Sequence, residues 1–352
     1  MIDSLRIQKF RSYRDDSFEF EPGVNIIVGP NASGKTNLLE ALLVACRGGS
    51  YRAKDAELVA FGAPWGRIDM QGSDVNRTVK LMVGENGAVK KEFVINDQKL
   101  ARLPLQKTIP VVLFEPNHLL LMHGSPELRR DYLDNLLEQI LPGYAKTRRD
   151  YRRALAQRNA LLKRGPAAKS QLFAWNIRLS EIGSQVATER QNLTVKLNDK
   201  LGNLYKSLAH SKSVEVTVRY AASCDTKQYG SSLLTALEKR TQTDIERGFT
   251  SIGPHREDLV VEFDGRGAAE VASRGETRTV LLAMKIMELQ LMEEARDIRP
   301  ILLLDDVFSE LDGARRKALT EVIGGYQSFI TTTDADVVVQ HFMDRCRIIP
   351  LG

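Results

Sequence analysis

The sequence predicts an α/β protein in which a mostly parallel sheet carries the functional groups, with an antiparallel β lobe beside it and an inserted helical arm. Three stretches predict this. Gly29-Pro30-Asn31-Ala32-Ser33-Gly34-Lys35-Thr36 lies between an apolar run from Val24 to Val28 and a helical pattern from Asn37 to Leu43. Ile301-Leu302-Leu303-Leu304 is an apolar strand that ends in two carboxylates, Asp305 and Asp306. Between them, from Ser125 to Leu197, apolar residues recur at three- and four-residue steps.

Composition narrows the function classes. With 352 residues, 43% of them hydrophobic, the chain has material for two or three domains with real cores. Its three cysteines, Cys46, Cys224 and Cys346, are widely spaced and odd in number, so neither a disulfide framework nor a ligand cluster is expected, which favours a reducing, cytoplasmic compartment. The five histidines (His118, His123, His210, His255, His341) lack metal-ligand spacing. Met1-Ile2-Asp3-Ser4-Leu5-Arg6 contains no signal core and no apolar run is long enough to span a bilayer, so no membrane partner is expected. The net charge of +5 suits a polyanion-binding protein without demanding one.

In chain order, Ile2, Leu5 and Ile7 alternate into Phe10-Arg11-Ser12-Tyr13 and Ser17-Phe18-Glu19-Phe20, a compact β start. Arg11 and Ser12 either line a nucleotide or are a solvated strand end. The strand-loop-helix setting of Gly29 to Thr36 points backbone N–H groups into a concavity at a helix N-terminus, where the dipole favours negative charge. The glycines permit close approach, Lys35 can reach β- and γ-phosphates, and the Thr36 hydroxyl can ligate Mg²⁺. A short helix is expected from Asp55 to Phe61, then strands at Gly66–Gln71, Arg77–Val83 and Val89–Ile95 that make the antiparallel sheet, and a buried strand at Val111-Val112-Leu113-Phe114.

The arm starts at Ser125-Pro126, with proline in the first turn, breaks at Pro142-Gly143, resumes to Lys163 and turns at Gly165-Pro166. Its partner carries Leu172, Trp175, Leu179, Ile182, Val186, Leu193 and Leu197, so the two make an antiparallel hairpin whose ~20 residues beyond the break reach only ~30 Å. Lys146, Arg148, Arg149, Arg152, Arg153, Arg158, Lys163 and Arg164 stand there against Asp150 alone, a basic face that either meets nucleic acid or an acidic protein surface or is plainly solvated. Arg149, Arg152 and Arg153 are the candidate DNA contacts. A strand through Val216, Val218 and Tyr220, a helix from Leu233 to Arg247, a strand to Phe263 and a long helix from Thr279 to Ala295 follow.

Asp305 is placed to hold Mg²⁺, directly or through water, and Asp306 to position or deprotonate an attacking water. Ser309-Glu310-Leu311-Asp312-Gly313 turns into a helix from Ala314 to Ile323, and Phe329-Ile330 is a further buried strand with Thr331-Thr332-Thr333-Asp334 at its end.

The order phosphate loop, Ser273-Arg274-Gly275-Glu276 before a helix, Leu-Leu-Leu-Asp-Asp, then Ser-Glu-Leu-Asp resembles the ABC-type ATPase heads of the SMC and Rad50 group. Phe10-Arg11-Ser12-Tyr13, the run from Gly124 to Asp134 and Gly253-Pro254-His255-Arg256-Glu257-Asp258-Leu259 narrow the likeness, over essentially the whole chain, to the RecF family of bacterial DNA repair proteins. That resemblance implies a P-loop head in two parts, 1–118 and 296–352, around an arm and lid at 119–295. It implies an ATP-dependent homodimer in which Ser273, Arg274 and Gly275 meet the γ-phosphate of the other subunit and Asp312 lies at the seam. It further implies binding of duplex DNA and single/double-strand junctions, partnership with RecO and RecR, loading of RecA at gaps, and slow DNA-stimulated ATP hydrolysis that works as a switch. A transporter subunit would need a groove for a membrane partner, and a nuclease of the overcoming-lysogenisation type an added acidic domain; neither feature is read here. Three positions depart from the wider superfamily: Glu276 replaces glutamine, Asp306 replaces glutamate, and Thr333-Asp334 stands where a switch histidine is usual, while Asn117 lies near the place of the lobe-junction glutamine.

Overall fold

The computed structural model describes residues 1–73, 75–209, 214–342 and 346–352, so His210 lies outside the described residues. Two compact units emerge, one formed by Met1–His118 with Glu288–Gly352 and the other by Leu119–Met287. No described helix is long and apolar enough to cross a membrane.

The first unit holds two sheets. Its parallel sheet runs Cys346–Pro350, Val24–Val28, Ser328–Thr332, Ile301–Asp305, Val111–Phe114 in that order. A strand covered on both faces needs an unbroken apolar run. Ile301–Asp305 and Ser328–Thr332 are accordingly buried at every position. The antiparallel sheet runs Tyr13–Glu19, Ile2–Phe10, Trp65–Gly72, Arg77–Val83, Val89–Ile95, Gln98–Leu100. Helix Lys35–Arg47 buries Leu38, Leu39, Leu42 and Val44 in a core that takes Ile7, Ile68 and Leu81 from the antiparallel sheet and Ile27, Leu303 and Phe329 from the parallel one. It is apolar around most of its circumference because it has a sheet on either side. The helix Asp55–Leu58 is shorter than expected, since the chain at Val59 pairs with Phe10 as a bridge. The edge strands Gln98–Leu100 and Cys346–Pro350 had no sequence signal, being short and set only by their neighbours.

The second unit is mainly helical, with a three-stranded antiparallel sheet of Arg266–Gly267, Asp258–Phe263 and Val216–Ala221. Gly143, at φ 89°, separates helix Pro126–Ile140 from Tyr144–Leu162. The second leg of the hairpin, Lys169–Ala209, has 41 residues against 19 in Tyr144–Leu162. Its far half is anchored instead by the small sheet: Asn198 exchanges two hydrogen bonds with the Val218 backbone and the Tyr205 ring meets Phe263 edge-on. The single helix expected from Leu233 to Arg247 is two, Tyr229–Lys239 and Thr241–Arg247, and the helix expected from Thr279 begins at Arg274.

The basic arm is corrected. Arg158 is fully buried, donating to Asp244 at 2.8 Å, Asn176 at 2.8 Å and Thr250 at 2.8 Å. Arg148 also turns inward, to Asp131, Asp134 and Glu138. Both fall on the helix face that carries Tyr144, Tyr151, Ala154 and Leu161, so the 3.6-residue period takes them inside. Lys146, Arg149, Arg152, Arg153, Lys163 and Arg164 remain exposed. Asp150 pairs with Lys146 at 3.2 Å, and Arg152 lies 3.9 Å from Asp131.

Candidate nucleotide site

Strand Val24–Val28 delivers the chain to the phosphate loop, and helix Lys35–Arg47 leaves it. Gly29 has no room for a side chain: a Cβ there would lie 2.5 Å from Ser33 Oγ and 2.6 Å from the Leu351 carbonyl oxygen. Ala32 and Gly34 both take the left-handed region, at φ 67° and 101°. Such a reversal turns successive N–H groups toward one concavity. Gly34 caps the helix without a side chain, so no internal acceptor competes at that end. The Tyr13 hydroxyl holds the loop from behind, donating to the Gly34 carbonyl at 3.1 Å. Pro30, Asn31 and Ala32 are exposed at the rim.

Two features of the loop fit an anion. Lys35 is buried, and its ammonium donates to the carbonyls of Gly29 at 2.6 Å and Pro30 at 2.8 Å. The buried Ser33 hydroxyl has no hydrogen-bond partner among the described residues. Buried polar atoms rarely stay unpaired without a functional reason.

The acidic strand lies one strand away. In the sheet order, Ser328–Thr332 separates Val24–Val28 from Ile301–Asp305, and its Thr331 ties the two halves together. The Thr331 hydroxyl donates to Asp305 Oδ1 at 2.7 Å and accepts the Asp306 N–H at 2.9 Å. Thr36 donates to the same Oδ1 at 3.1 Å. Thus Thr36 and Asp305, the two candidate metal ligands, touch. Among the described residues no group of three His, Cys, Asp or Glu side chains could hold an ion alone. Mg²⁺ often completes its octahedron with substrate phosphates and water, so a hydroxyl and one carboxylate suit it.

Asp306 takes the left-handed conformation, φ 52° and ψ 28°, which costs a non-glycine residue of order 1 kcal/mol. Its Oδ1 is buried with no hydrogen-bond partner among the described residues. Burial, then the neighbouring charges of Asp305 and Glu310, push its carboxyl above the usual range against the opposing pull of Ser309 and Lys35. A carboxylate held strained, with one oxygen unpaired, and more basic than usual is suited to accept a proton.

Arg11 has a different role from the one expected of a solvated strand end. At φ 52° in its turn, it makes a bidentate contact with Glu40, 2.7 and 3.0 Å, on the phosphate-loop helix. Arg52 and Ser50 also reach that buried carboxylate. Burial alone would raise the Glu40 pKa, but these hydrogen bonds outweigh it and hold the group below its ordinary value. Ser12 Oγ accepts from Asn37 at 2.9 Å, and Asn37 Oδ1 accepts from Arg52. Sequence reading missed Glu40, Arg52, Asn37 and Thr331, which have no motif of their own; only their contacts mark them.

Asp312 caps helix Gly313–Ile323 through the Arg315 N–H at 3.0 Å and pairs with the Arg315 side chain, while remaining half exposed. Within the second unit, Ser273 and Glu276 form a reciprocal cap on helix Arg274–Arg296: Glu276 Oε2 accepts the Ser273 N–H at 2.8 Å and Ser273 Oγ accepts the Glu276 N–H at 3.2 Å. This explains glutamate at 276 physically, because a carboxylate makes the stronger acceptor in such a cap. The cap uses a lone pair of the Ser273 hydroxyl and leaves its proton available to an outside acceptor. Ser273 and Arg274 are exposed, and Gly275 is half-buried.

Comparison with known proteins agrees with this architecture. The family model described as RecF/RecN/SMC N terminal domain matches residues 1–348. The DNA replication and repair protein RecF of Heliobacterium modesticaldum is 35% identical over 342 residues, covering 94% of this chain and 92% of the relative. Two solved structures of the recombination mediator RecF in the RecFOR pathway also match at 30% identity. The one described as RecF-ATPrS has a TM-score of 0.86, covering 96% of this chain and 94% of the other. The one described as RecF-ATP has a TM-score of 0.84, with 95% and 92% covered. With its phosphate loop and acidic strand on a parallel sheet, its antiparallel sheet and its helical unit, the chain has the ABC-type ATPase head fold and belongs to the RecF/RecN/SMC family, within it to the bacterial RecF proteins.

Proposed function

We propose that this protein is an ATP-gated DNA-binding recombination mediator whose nucleotide pocket is completed by a second copy of itself. The observation that carries the reading is the joined pair of Thr36 and Asp305 beside Lys35, with Ser33 and Asp306 each holding an unsatisfied buried oxygen. Residues 29–36 hold the phosphates, with Lys35 exchanging two loop carbonyls for phosphate oxygens. Thr36 and Asp305 hold Mg²⁺, which when bound neutralises phosphate charge. Asp306 accepts the proton of the attacking water and is, with Lys35, the catalytic group. Arg11 and Ser12 brace the phosphate-loop helix and border the nucleotide.

Ser273, Arg274 and Gly275 serve the partner's γ-phosphate from an exposed helix N-terminus, and Asp312 lies at the seam. ATP binding brings two copies together on duplex DNA or a single/double-strand junction; slow, DNA-stimulated hydrolysis releases them. RecO and RecR act with this switch in the cytoplasm to load RecA at gaps. The likeness to solved structures of the recombination mediator RecF of the RecFOR pathway with ATP and with ATPrS supports this assignment.

Sedimentation with and without ATP, and with gapped DNA, tests the gate. Wild type is expected to dimerise on ATP, whereas Ser273→Ala binds ATP within about threefold of wild type yet dimerises about tenfold or more weakly, because alanine has no hydroxyl to donate at the seam. A wild type that stays monomeric with ATP, and whose DNA affinity ignores nucleotide, overturns the reading.

The exposed arginines of the arm are proposed to lie along DNA phosphates. Reversing Arg149 and Arg152 to glutamate is expected to weaken DNA binding by about tenfold or more and to lower the slope of log affinity against log salt by ~2. Unchanged affinity in a salt titration would leave that face simply solvated.

A further inference from the structure

A cavity of ≈ 490 Å³ opens in the first unit at the amino ends of the parallel strands, lined by Ile109, Pro110, Ile301, Tyr326 and Arg77 among others. The phosphate loop follows the carboxyl end of its strand, so a five-residue strand, about 17 Å, separates the two sites. The volume lies in the range of small-ligand pockets. Its lining is apolar on most sides, and among the described residues it includes no aspartate or glutamate.

Arg77 is the anomaly. Arg77 is buried, 7% exposed as a residue, yet among the described residues no carboxylate bears on its guanidinium. One guanidinium nitrogen makes long contacts, 3.4 and 3.3 Å, with the carbonyls of Ala45 and Cys46 at the end of the phosphate-loop helix. Among the described residues Nε has no hydrogen-bond partner. Burial drives the Arg77 pKa down. A buried guanidinium is ordinarily compensated by a carboxylate or phosphate with good geometry. The other arginine of the lining, Arg299, is mostly exposed and has Glu293 at 3.5 Å. Asp74, three residues from Arg77, lies outside the described residues.

We propose that this cavity is a binding site for a carboxylate carried on an apolar body, the anion meeting Arg77 and the apolar part filling the space against Ile109, Ile301 and Tyr326. A phosphate or a strongly hydrated dianion would leave most of the apolar wall unmatched, and a neutral apolar molecule would leave the guanidinium unpaired. Two sources carry this chemistry: a small organic acid, or the free C-terminus of a chain ending in apolar residues.

Isothermal titration of the full chain with octanoate, octanol, and a short peptide ending Leu-Phe, with free or amidated C-terminus, tests the site. Octanoate or the free-acid peptide is expected to bind with Kd on the order of 1 mM or tighter. Octanol and the amidated peptide should bind about tenfold or more weakly, since a hydrogen bond to a charged group is lost. Arg77→Gln should erase the preference, and Ile298→Trp, at a half-exposed position of the lining, should block entry without touching the buried wall. Octanoate binding alone assigns a small organic acid; a free-acid peptide that binds tighter than octanoate assigns a chain terminus. Equal binding of acid and alcohol, no binding of either acid, or binding that survives both variants overturns the proposal. So does acid binding that arises only in Asp74→Asn, for then Asp74 is the partner of Arg77.

Discussion

Lys35→Met is expected to reduce ATP affinity by at least about 100-fold, as read by titration with a fluorescent nucleotide, while leaving the fold intact. The magnitude follows from losing hydrogen bonds from a charged donor to phosphate oxygens, about 1.5–3 kcal/mol each, in a site where water cannot fully replace them. The fold survives because the hydrogen bonds of Lys35 Nζ among the described residues go to the loop carbonyls of Gly29 and Pro30. Methionine keeps the length of the aliphatic stem in its buried channel. A variant that binds ATP within about threefold of wild type would remove the phosphate loop from the mechanism.

Asp244→Ala is the second large effect, and it concerns stability. Asp244 and Arg158 are both fully buried and paired at 2.8 Å. Deleting the acid strands a guanidinium that retains only Asn176, Thr250 and the Leu237 carbonyl. Breaking such a pair from one side costs about 3–5 kcal/mol, whereas replacing both charges by apolar residues of similar volume is often neutral. Urea denaturation should therefore show Asp244→Ala strongly destabilised and Arg158→Met with Asp244→Leu substantially recovered. If the single variant lost less than about 1 kcal/mol, the Arg158 cluster would be only a solvated network.

The candidate nucleotide site was legible because its geometry is local. Gly29, Gly34, Lys35 and Thr36 lie in eight consecutive residues whose strand and helix are each announced by periodicity, and Ile301 to Asp305 needs only an apolar run that ends in acid. The arm was harder, because a helix shows one dimension in sequence and a circumference in space. Arg148 and Arg158 read as members of a basic row until the 3.6-residue period turned them onto the face of Tyr151 and Leu161, where Asp134 and Asp244 wait on other elements. The same holds for Glu276: a departure from a family pattern in sequence became one half of a helix cap once its contact with Ser273 was in view.

By itself, then, the sequence determined the α/β class, the strand-loop-helix from Val24 to Leu43 and the apolar strand ending in Asp305 and Asp306, since each depends on residues that are neighbours along the chain. Only the tertiary structure decided that Thr331 couples Asp305 to Asp306, that Glu40 gathers Arg11 and Arg52, and that Arg77 is buried beside a cavity without an acidic partner among the described residues. Those partners lie tens to hundreds of positions apart, and whether a charge is buried, paired or free depends on what other segments bring to it, which no local pattern records.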